Sequence, residues 1–187
     1  MALTHELRDF CDSWRAKAAA YSLENIHGAF DRFFTSYVVF NRLYAEATYR
    51  LARSGHVKLR ERFPDSQVAQ DYVVQFCTAA KLTQAWENSA NAAAALHEIA
   101  GHLREGRFSL KLDPVTGDPR PAKDLELLEA LESRSRNRKA KAVLEALYAI
   151  RRNMFHGQKG FHLRQLALLR PAILLLEITT DVLYQAL

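Results

Sequence analysis

The stretch Lys141–Phe161, which reads KAVLEALYAIRRNMFHGQKGF, decides the fold. Its apolar residues recur at steps of three and four, the spacing that places side chains on one face of a helix. They are Val143, Leu144, Leu147, Ile150, Met154 and Phe155. At about 100° per residue, with Val143 at zero, they cover an arc from about 340° round to about 120°. The pattern predicts a buried amphipathic helix that ends near Gly157, because glycine commonly closes helices.

Arg151 breaks this pattern, because it falls at about 80°, inside the apolar arc. A buried charge is costly unless a partner compensates it, so we expect a partner or a function for this side chain. Arg152 falls at about 180° and can face solvent. His156 lies five positions after Arg151, directly before Gly157. An arginine and a histidine near a helix C-terminus also interact favourably with the helix dipole, so a purely structural interpretation stays open.

Similar patterns on both sides of this helix predict one all-α domain, a helical bundle over residues 1–187. The expected helices are 4–21 with Thr4 as N-cap, Asn25 to about Ser54, Asp65 or Ser66 to about Cys77, Thr83–Leu103, 122–132 and 161–186, with Pro171 kinking or dividing the last. The helix after Asn25 carries an aromatic stripe that we expect to lie in the core. We expect the central helix to pack between this helix and the last one.

The segment RFSLKLDPVTGDPRPAK, residues 107–123, interrupts the helical pattern. It contains Pro114, Pro119 and Pro121, which are three of the five prolines in the chain. Phe108, Leu110 and Leu112 alternate with polar residues, which is typical of a strand. We therefore expect an insertion loop within the domain that forms a short strand or hairpin.

Composition excludes several classes of protein. The residues are 49% hydrophobic and 25% charged, which is ordinary for a soluble globular protein. The start of the chain, MALTHELRDF, lacks the apolar run of a signal peptide, and charges interrupt the most hydrophobic segment, so we expect a cytoplasmic protein that spans no membrane. Cys11 and Cys77 are expected to be reduced thiols, with a disulfide as the alternative. The net charge of +5 favours an anionic partner.

A possible metal motif is present at His97, Glu98 and His102. In the zinc-protease motif the two histidines are four residues apart and share a helix face. Here they are five residues apart, which separates them by about 140° around a helix. The sequence therefore predicts no metal site and no other cofactor.

A run of cations lies at the start of the central helix: Arg134, Arg136, Arg138, Lys139 and Lys141. Cations at a helix N-terminus oppose the helix dipole, so they need solvent or a bound anion. Either a solvated turn or a contact with the phosphates of a nucleic acid explains the run. Together with Arg152, these are the predicted nucleic-acid-binding residues.

The sequence YAIRRNMFHG, Tyr148–Gly157, resembles the signature of the HEPN superfamily: an arginine, four to six residues that include a polar one near the arginine, and a histidine. Arg151 and His156 are separated by four residues, and Asn153 is the polar residue. Arg152 departs from the pattern, because asparagine or aspartate usually stands there. Helical geometry alone would pair Arg152 with His156, but the family spacing favours Arg151.

This resemblance implies an all-α fold, usually dimeric, and a metal-independent endoribonuclease that acts as a toxin or phage-defence effector. It also implies RNA as partner, a homodimer, and an antitoxin or another component of a defence complex. Arg151, His156 and Asn153 would then be the catalytic residues. Other members of the family are catalytically inactive and only bind nucleotides or RNA, which is the alternative function. A helical scaffold protein, which would not bind RNA, is a third interpretation.

The residue types suit this chemistry. Histidine has an ordinary pKa near 6.5 and can act as acid or base at neutral pH. Arginine keeps its charge and presents a fork of donors that matches phosphate oxygens. One protomer offers one such histidine, whereas a two-fold dimer could place two Arg151–His156 pairs around one phosphate. Cleavage by this route would leave a 2′,3′-cyclic phosphate.

Overall fold

A computed structural model describes residues 3–59, 65–155 and 162–187, and in these ranges the chain is helical without a β-strand. The predicted all-α fold is confirmed. The eight described helices are α1 (His5–Ala19), α2 (Ile26–Arg53), α3 (Asp65–Gln67, continued by a π-helical stretch Val68–Tyr72 and by Val73–Cys77), α4 (Ala79–Glu87), α5 (Ala90–Arg104), α6 (Pro121–Leu131), α7 (Arg136–Phe155) and α8 (Leu166–Ala186). None of these helices is both long enough and apolar enough to cross a membrane.

The first two helices begin where the sequence predicts and end within two residues of the predicted ends. The Thr4 side chain accepts a hydrogen bond from the backbone N–H of Leu7, and the Asn25 side chain accepts one from Gly28. Each side chain satisfies one of the N–H groups that a helix leaves without a partner in its first turn. At the end of α2, Gly55 adopts a φ of +75°, which favours glycine.

The helix predicted from Thr83 to Leu103 is wrong, because the chain forms two helices there. α4 ends at Glu87, and Ser89 caps α5 by accepting a hydrogen bond from the N–H of Ala92. Serine and asparagine hydrogen-bond to nearby backbone and therefore favour caps over helix interiors. The alanine-rich sequence after this point hides the break, because alanine propagates a helix in either arrangement.

Buried apolar side chains from all eight described helices form one core. The most extensive contact joins α2 and α8, while α7 packs mainly against α4, α6 and the π-helical stretch of α3. The expectation that the central helix packs between α2 and the last helix is therefore wrong, because other elements are its main neighbours. An apolar arc shows that a helix face is buried, but it does not show which helix covers that face. The aromatic stripe of α2 lies in the core, with Phe33, Tyr37, Phe40 and Tyr44 buried.

The segment between α5 and α6 follows the predicted alternation. Phe108, Leu110 and Leu112 are buried, and the residues between them are partly exposed. A single antiparallel bridge joins Leu112 to Pro119, so the segment forms a hairpin-like turn without a regular strand. We refer to residues 107–120 as the insertion segment.

Pro171 lies inside α8, which continues through it without a division. Proline has no N–H, so the carbonyl four residues earlier, that of Ala167, loses its helical donor. Nε2 of His102 lies 3.1 Å from this carbonyl oxygen and supplies a donor in its place. His102 is 2% exposed, and its ring packs edge-on against Phe108. The second histidine of the possible metal motif therefore has a structural role.

Candidate functional site

Arg151 projects from α7 toward the first turn of α3. Its Nη1 lies 3.4 Å from Oδ2 of Asp65, and a quarter of its side chain is exposed (25%). Asp65 begins α3, where a carboxylate is favoured by the positive end of the helix dipole. The partner that an arginine in the apolar arc requires is therefore this carboxylate, 86 residues away in the sequence.

Two tyrosine hydroxyls donate to the same carboxylate. The Tyr44 hydroxyl lies 2.5 Å from Oδ1 of Asp65, and the Tyr148 hydroxyl lies 3.3 Å from Oδ2. Burial raises the pKa of Tyr44 well above its ordinary value, and the hydrogen bond to Asp65 adds to this effect. The pKa of Tyr148 is also raised, first by burial and then by the negative charge of Asp65. Both hydroxyls therefore remain protonated donors at neutral pH.

The rings of two tyrosines lie beside the guanidinium. Its central carbon is 5.6 Å from the centroid of Tyr37 and 5.9 Å from that of Tyr148, within the range of cation–π attraction. Tyr37 is buried, and burial raises the pKa of its hydroxyl. We call Arg151, Asp65, Tyr44, Tyr148 and Tyr37 the Arg151 cluster. It holds the guanidinium in one orientation at the protein surface.

Asn153 lies on another face of α7. Its side chain is buried, with the residue 3% exposed, and its Nδ2 donates to the carbonyl of Leu110 in the insertion segment at 2.9 Å. This contact fixes the insertion segment against α7. The catalytic role of Asn153 stays a prediction. His156, the predicted acid or base, and Gly157 lie outside the described residues.

The predicted nucleic-acid-binding residues separate around α7. Lys139 pairs with Glu87 of α4 at 3.2 Å, and Lys141 pairs with Asp71 of α3 at 2.7 Å. Arg138 and Arg152 instead line one groove on the side of the insertion segment and α6. Neighbouring positions on a helix point about 100° apart, so a run of cations in sequence does not form one patch in space. Arg134 and Arg136 are exposed near the N-terminus of α7.

That groove contains cations that the sequence analysis did not single out. Lys111 and Arg120 of the insertion segment and Lys123 of α6 line it together with Arg138 and Arg152. We call these five residues and the space between them the basic groove. Its volume is about 560 Å³. The cations are separated in sequence, so only the packing of the insertion segment and α6 on α7 brings them together.

None of the contacts of Arg151 described above was predicted from the sequence. Tyr148 precedes Arg151 by three positions and therefore shares its side of the helix, which is a signal that the sequence contains. No local signal links Asp65 or Tyr44 to Arg151. Among the described residues, no group of three or more histidine, cysteine, aspartate or glutamate side chains is arranged to hold a metal ion.

Comparison of the chain with models of known families, with curated proteins and with solved structures finds no match. The resemblance to the HEPN superfamily is therefore confined to the sequence of the ten residues from Tyr148 to Gly157.

Proposed function

We propose that the protein is a metal-independent endoribonuclease of the HEPN type, in which Arg151 contacts the scissile phosphate and His156 transfers the proton. The observation that carries this proposal is the placement of Arg151. Its guanidinium is held at the end of the central helix, partly open to solvent, five residues before a histidine. RNA cleavage without a metal requires a fixed cation and an acid–base group, and the sequence supplies both residue types.

The reaction is a transfer within the RNA strand. A general base removes the proton of the ribose 2′-hydroxyl, and the 2′-oxygen attacks the adjacent phosphorus. The bond from phosphorus to the 5′-oxygen breaks, and a general acid gives that oxygen a proton. The products are a 2′,3′-cyclic phosphate and a 5′-hydroxyl. Arg151 would stabilise the negative charge that builds on the phosphate oxygens in the transition state.

The Arg151 cluster supports this role by holding the arginine in place. A guanidinium has five N–H donors, which is more than the contact between Nη1 and Asp65 uses. Asp65 is itself held by the hydroxyls of Tyr44 and Tyr148. A group positioned before the substrate arrives stabilises the transition state without the cost of reorganisation. Asp65 is therefore a positioning residue in this proposal.

The chemistry needs both an acid and a base, and a homodimer would bring two copies of His156 to one phosphate. A cytoplasmic setting suits an RNA substrate and the free thiols of Cys11 and Cys77. Unregulated RNA cleavage harms the host cell, so the activity fits a toxin or phage-defence effector controlled by an antitoxin or another partner. Light scattering that shows a monomer with full activity would remove the shared site from the proposal.

A catalytically inactive RNA-binding module is the second candidate. The ion pair with Asp65 favours it, because the carboxylate offsets part of the charge that Arg151 could offer to a phosphate. Like the ribonuclease, such a module would bind RNA more weakly as the salt concentration rises, but it would leave the strand intact. A cleavage assay therefore separates the two functions.

Matched arginine variants test the proposal. We expect Arg151→Ala to lower the cleavage rate at least about 10²-fold, the usual effect of removing a donor to the transition state. Arg152→Ala should weaken RNA binding modestly and leave the rate at saturating RNA near that of the wild type. Circular dichroism and thermal melts must show that both variants are folded. If folded Arg152→Ala loses more activity and Arg151→Ala stays active, the role belongs to Arg152 and the proposal has named the wrong arginine.

A further inference from the structure

The basic groove lies between the insertion segment, α6 and α7, away from the contact of Arg151 with Asp65. Arg138, Glu145 and Arg152 line its α7 side. They are seven residues apart, which is close to two helical turns, so they share one face of α7. From Arg138 to Arg152 the helix advances about 21 Å, at about 1.5 Å per residue. The groove is therefore elongated rather than centred on one point.

The opposite wall of the groove is fixed to the helices by hydrogen bonds. Oδ1 of Asp124, on α6, accepts from the backbone N–H groups of Leu110 and Lys111 at 3.0 and 2.9 Å. The carbonyl of Leu110 accepts from Asn153 on α7. Asp124 is 6% exposed, and hydrogen bonds to a buried charged group are among the stronger ones. These bonds hold Lys111 at a set position across from α7.

The charge of the groove is positive. Its five cations face two lining carboxylates, those of Glu126 and Glu145. Asp113 and Glu129 pair with Arg120 and Arg138 from outside the lining. With these two included, five cations stand against four carboxylates, which leaves an excess of one positive charge.

Lys111 pairs with Glu145 across the groove, and only 20% of the lysine side chain is exposed. The cations of the other three pairs, Arg120, Lys123 and Arg138, are about half exposed. Lys123 and Glu126 lie 2.7 Å apart with more than half of each side chain exposed. Exposed pairs contribute about 0–1 kcal/mol, so at Arg120, Lys123 and Arg138 a phosphate can replace the carboxylate at little cost. Arg152 has no ion pair with any described residue, and it lies next to Arg151 in the chain.

We propose that the basic groove binds the phosphate backbone of single-stranded RNA and leads the strand toward Arg151. This inference rests on the proposed function, whose substrate it describes. Arg138 and Arg152 lie about 21 Å apart along α7, and Lys111, Arg120 and Lys123 lie on the opposite wall. This spread suits a chain of phosphates, whereas a small phosphorylated ligand needs donors that converge on one point. The insertion segment is then an RNA-binding element, and Lys111, Arg120 and Lys123 are its contacts. Lys139 and Lys141 lie outside the groove.

The test measures RNA binding separately from cleavage. A fluorescent oligouridylate with 2′-O-methyl groups cannot be cleaved by the proposed route, and its fluorescence anisotropy reports affinity. Lys123→Glu and Arg120→Glu reverse exposed charges in the groove. Lys17→Glu makes the same change on α1, a helix that packs on α2 and does not line the groove. Thermal melts show whether each variant is folded.

We expect each groove variant to bind about five- to tenfold more weakly at low salt and to lower the slope of log K against log salt by about 0.7. Lys17→Glu should bind as the wild type does. Equal weakening by Lys17→Glu would overturn the proposal, because the effect would then follow net charge alone. Wild-type affinity in both groove variants, or no binding by the wild type, would overturn it as well. Displacement of the RNA by micromolar pyrophosphate would make the groove a site for small phosphates and overturn the RNA assignment.

The same proteins separate this inference from the proposed function when cleavable RNA is used in EDTA. If the wild type binds through the groove and cleaves nothing, the groove stands and the ribonuclease proposal fails. If the groove variants cleave RNA with an unchanged KM, the ribonuclease proposal stands and the groove is not the path of the substrate.

Discussion

The hydrogen bond between His102 and Ala167 allows a quantitative test of the packing between α5 and α8. His102→Leu removes the donor but keeps an apolar side chain of similar size. The carbonyl of Ala167 then lacks a donor, because residue 171 is proline and has no N–H. Pro171→Ala restores an N–H at the position from which a helix normally supplies the bond. The two substitutions should therefore compensate each other.

The magnitude follows from the contact. A typical hydrogen bond contributes about 0.5–1.5 kcal/mol net, and a carbonyl left buried without a partner costs about 1–3 kcal/mol. The Ala167 carbonyl is only part-buried, so we expect a coupling energy of about 1 kcal/mol between the two positions. Nδ1 of His102 has no hydrogen-bond partner among the described residues. Its removal affects both backgrounds equally and cancels in the double-mutant cycle.

Urea unfolding of the four proteins measures this coupling. With an m-value of about 2 kcal/mol/M, the midpoint loss caused by His102→Leu should be about 0.5 M smaller in the Pro171→Ala background. Both circular dichroism and tryptophan fluorescence should report the same transition, because the calculation assumes two-state unfolding. A coupling energy below about 0.3 kcal/mol is within ordinary additivity. It would refute the inference that His102 replaces the N–H that Pro171 lacks.

Three further predictions concern buried or ordered groups. Asp124→Ala should lower the free energy of unfolding by about 2–4 kcal/mol, because two backbone amides of the insertion segment lose their acceptor, whereas Asp124→Asn keeps an acceptor and should cost about 1 kcal/mol. Urea unfolding measures both, and equal losses would contradict the contact. Burial raises the pKa of the Cys77 thiol to about 12. The thiol should therefore resist alkylation in the native protein at about pH 8 and react after unfolding; rapid reaction in the native state would contradict its burial. Hydrogen bonds from the backbone of Thr116 and Val115 and from Arg120 hold the pKa of Asp113 at about 2. This value lies below that of the unfolded chain, so the turn that begins at Asp113 should keep its full stability above about pH 4 and lose it as the pH falls through about 2. The chemical shift of the Thr116 amide, recorded against pH by NMR, measures this change. An amide that titrates near pH 4 would contradict this.

Local signals predicted the parts of the fold that local physics determines. Thr4 and Asn25 begin their helices because a side-chain oxygen close in sequence satisfies a free N–H. Phe108, Leu110 and Leu112 alternate because one side of the insertion segment faces the core. Neither inference needs knowledge of which distant elements meet.

The partners of Arg151 could not be predicted in this way. The apolar arc showed that Arg151 needs a compensating group, but Asp65 was interpreted only as a helix start. The packing of α3 against α7 brings the two together, and nothing near either residue encodes that contact. The same holds for the basic groove, where Lys111 and Lys123 meet Arg152 only after the insertion segment folds onto α7.

The central claim is RNA cleavage without a metal ion by Arg151 and His156. Its most direct test is incubation of the purified protein with mixed RNAs in EDTA, followed by analysis of the product ends. His156→Ala is compared with His97→Ala, a change of the same kind at an exposed position on α5. We predict cleavage in EDTA that leaves 2′,3′-cyclic phosphates, a rate about 10²–10⁴-fold lower for His156→Ala, and a wild-type rate for His97→Ala. Activity that disappears in EDTA and returns with Mg²⁺, or that survives unchanged in folded His156→Ala, would contradict the claim.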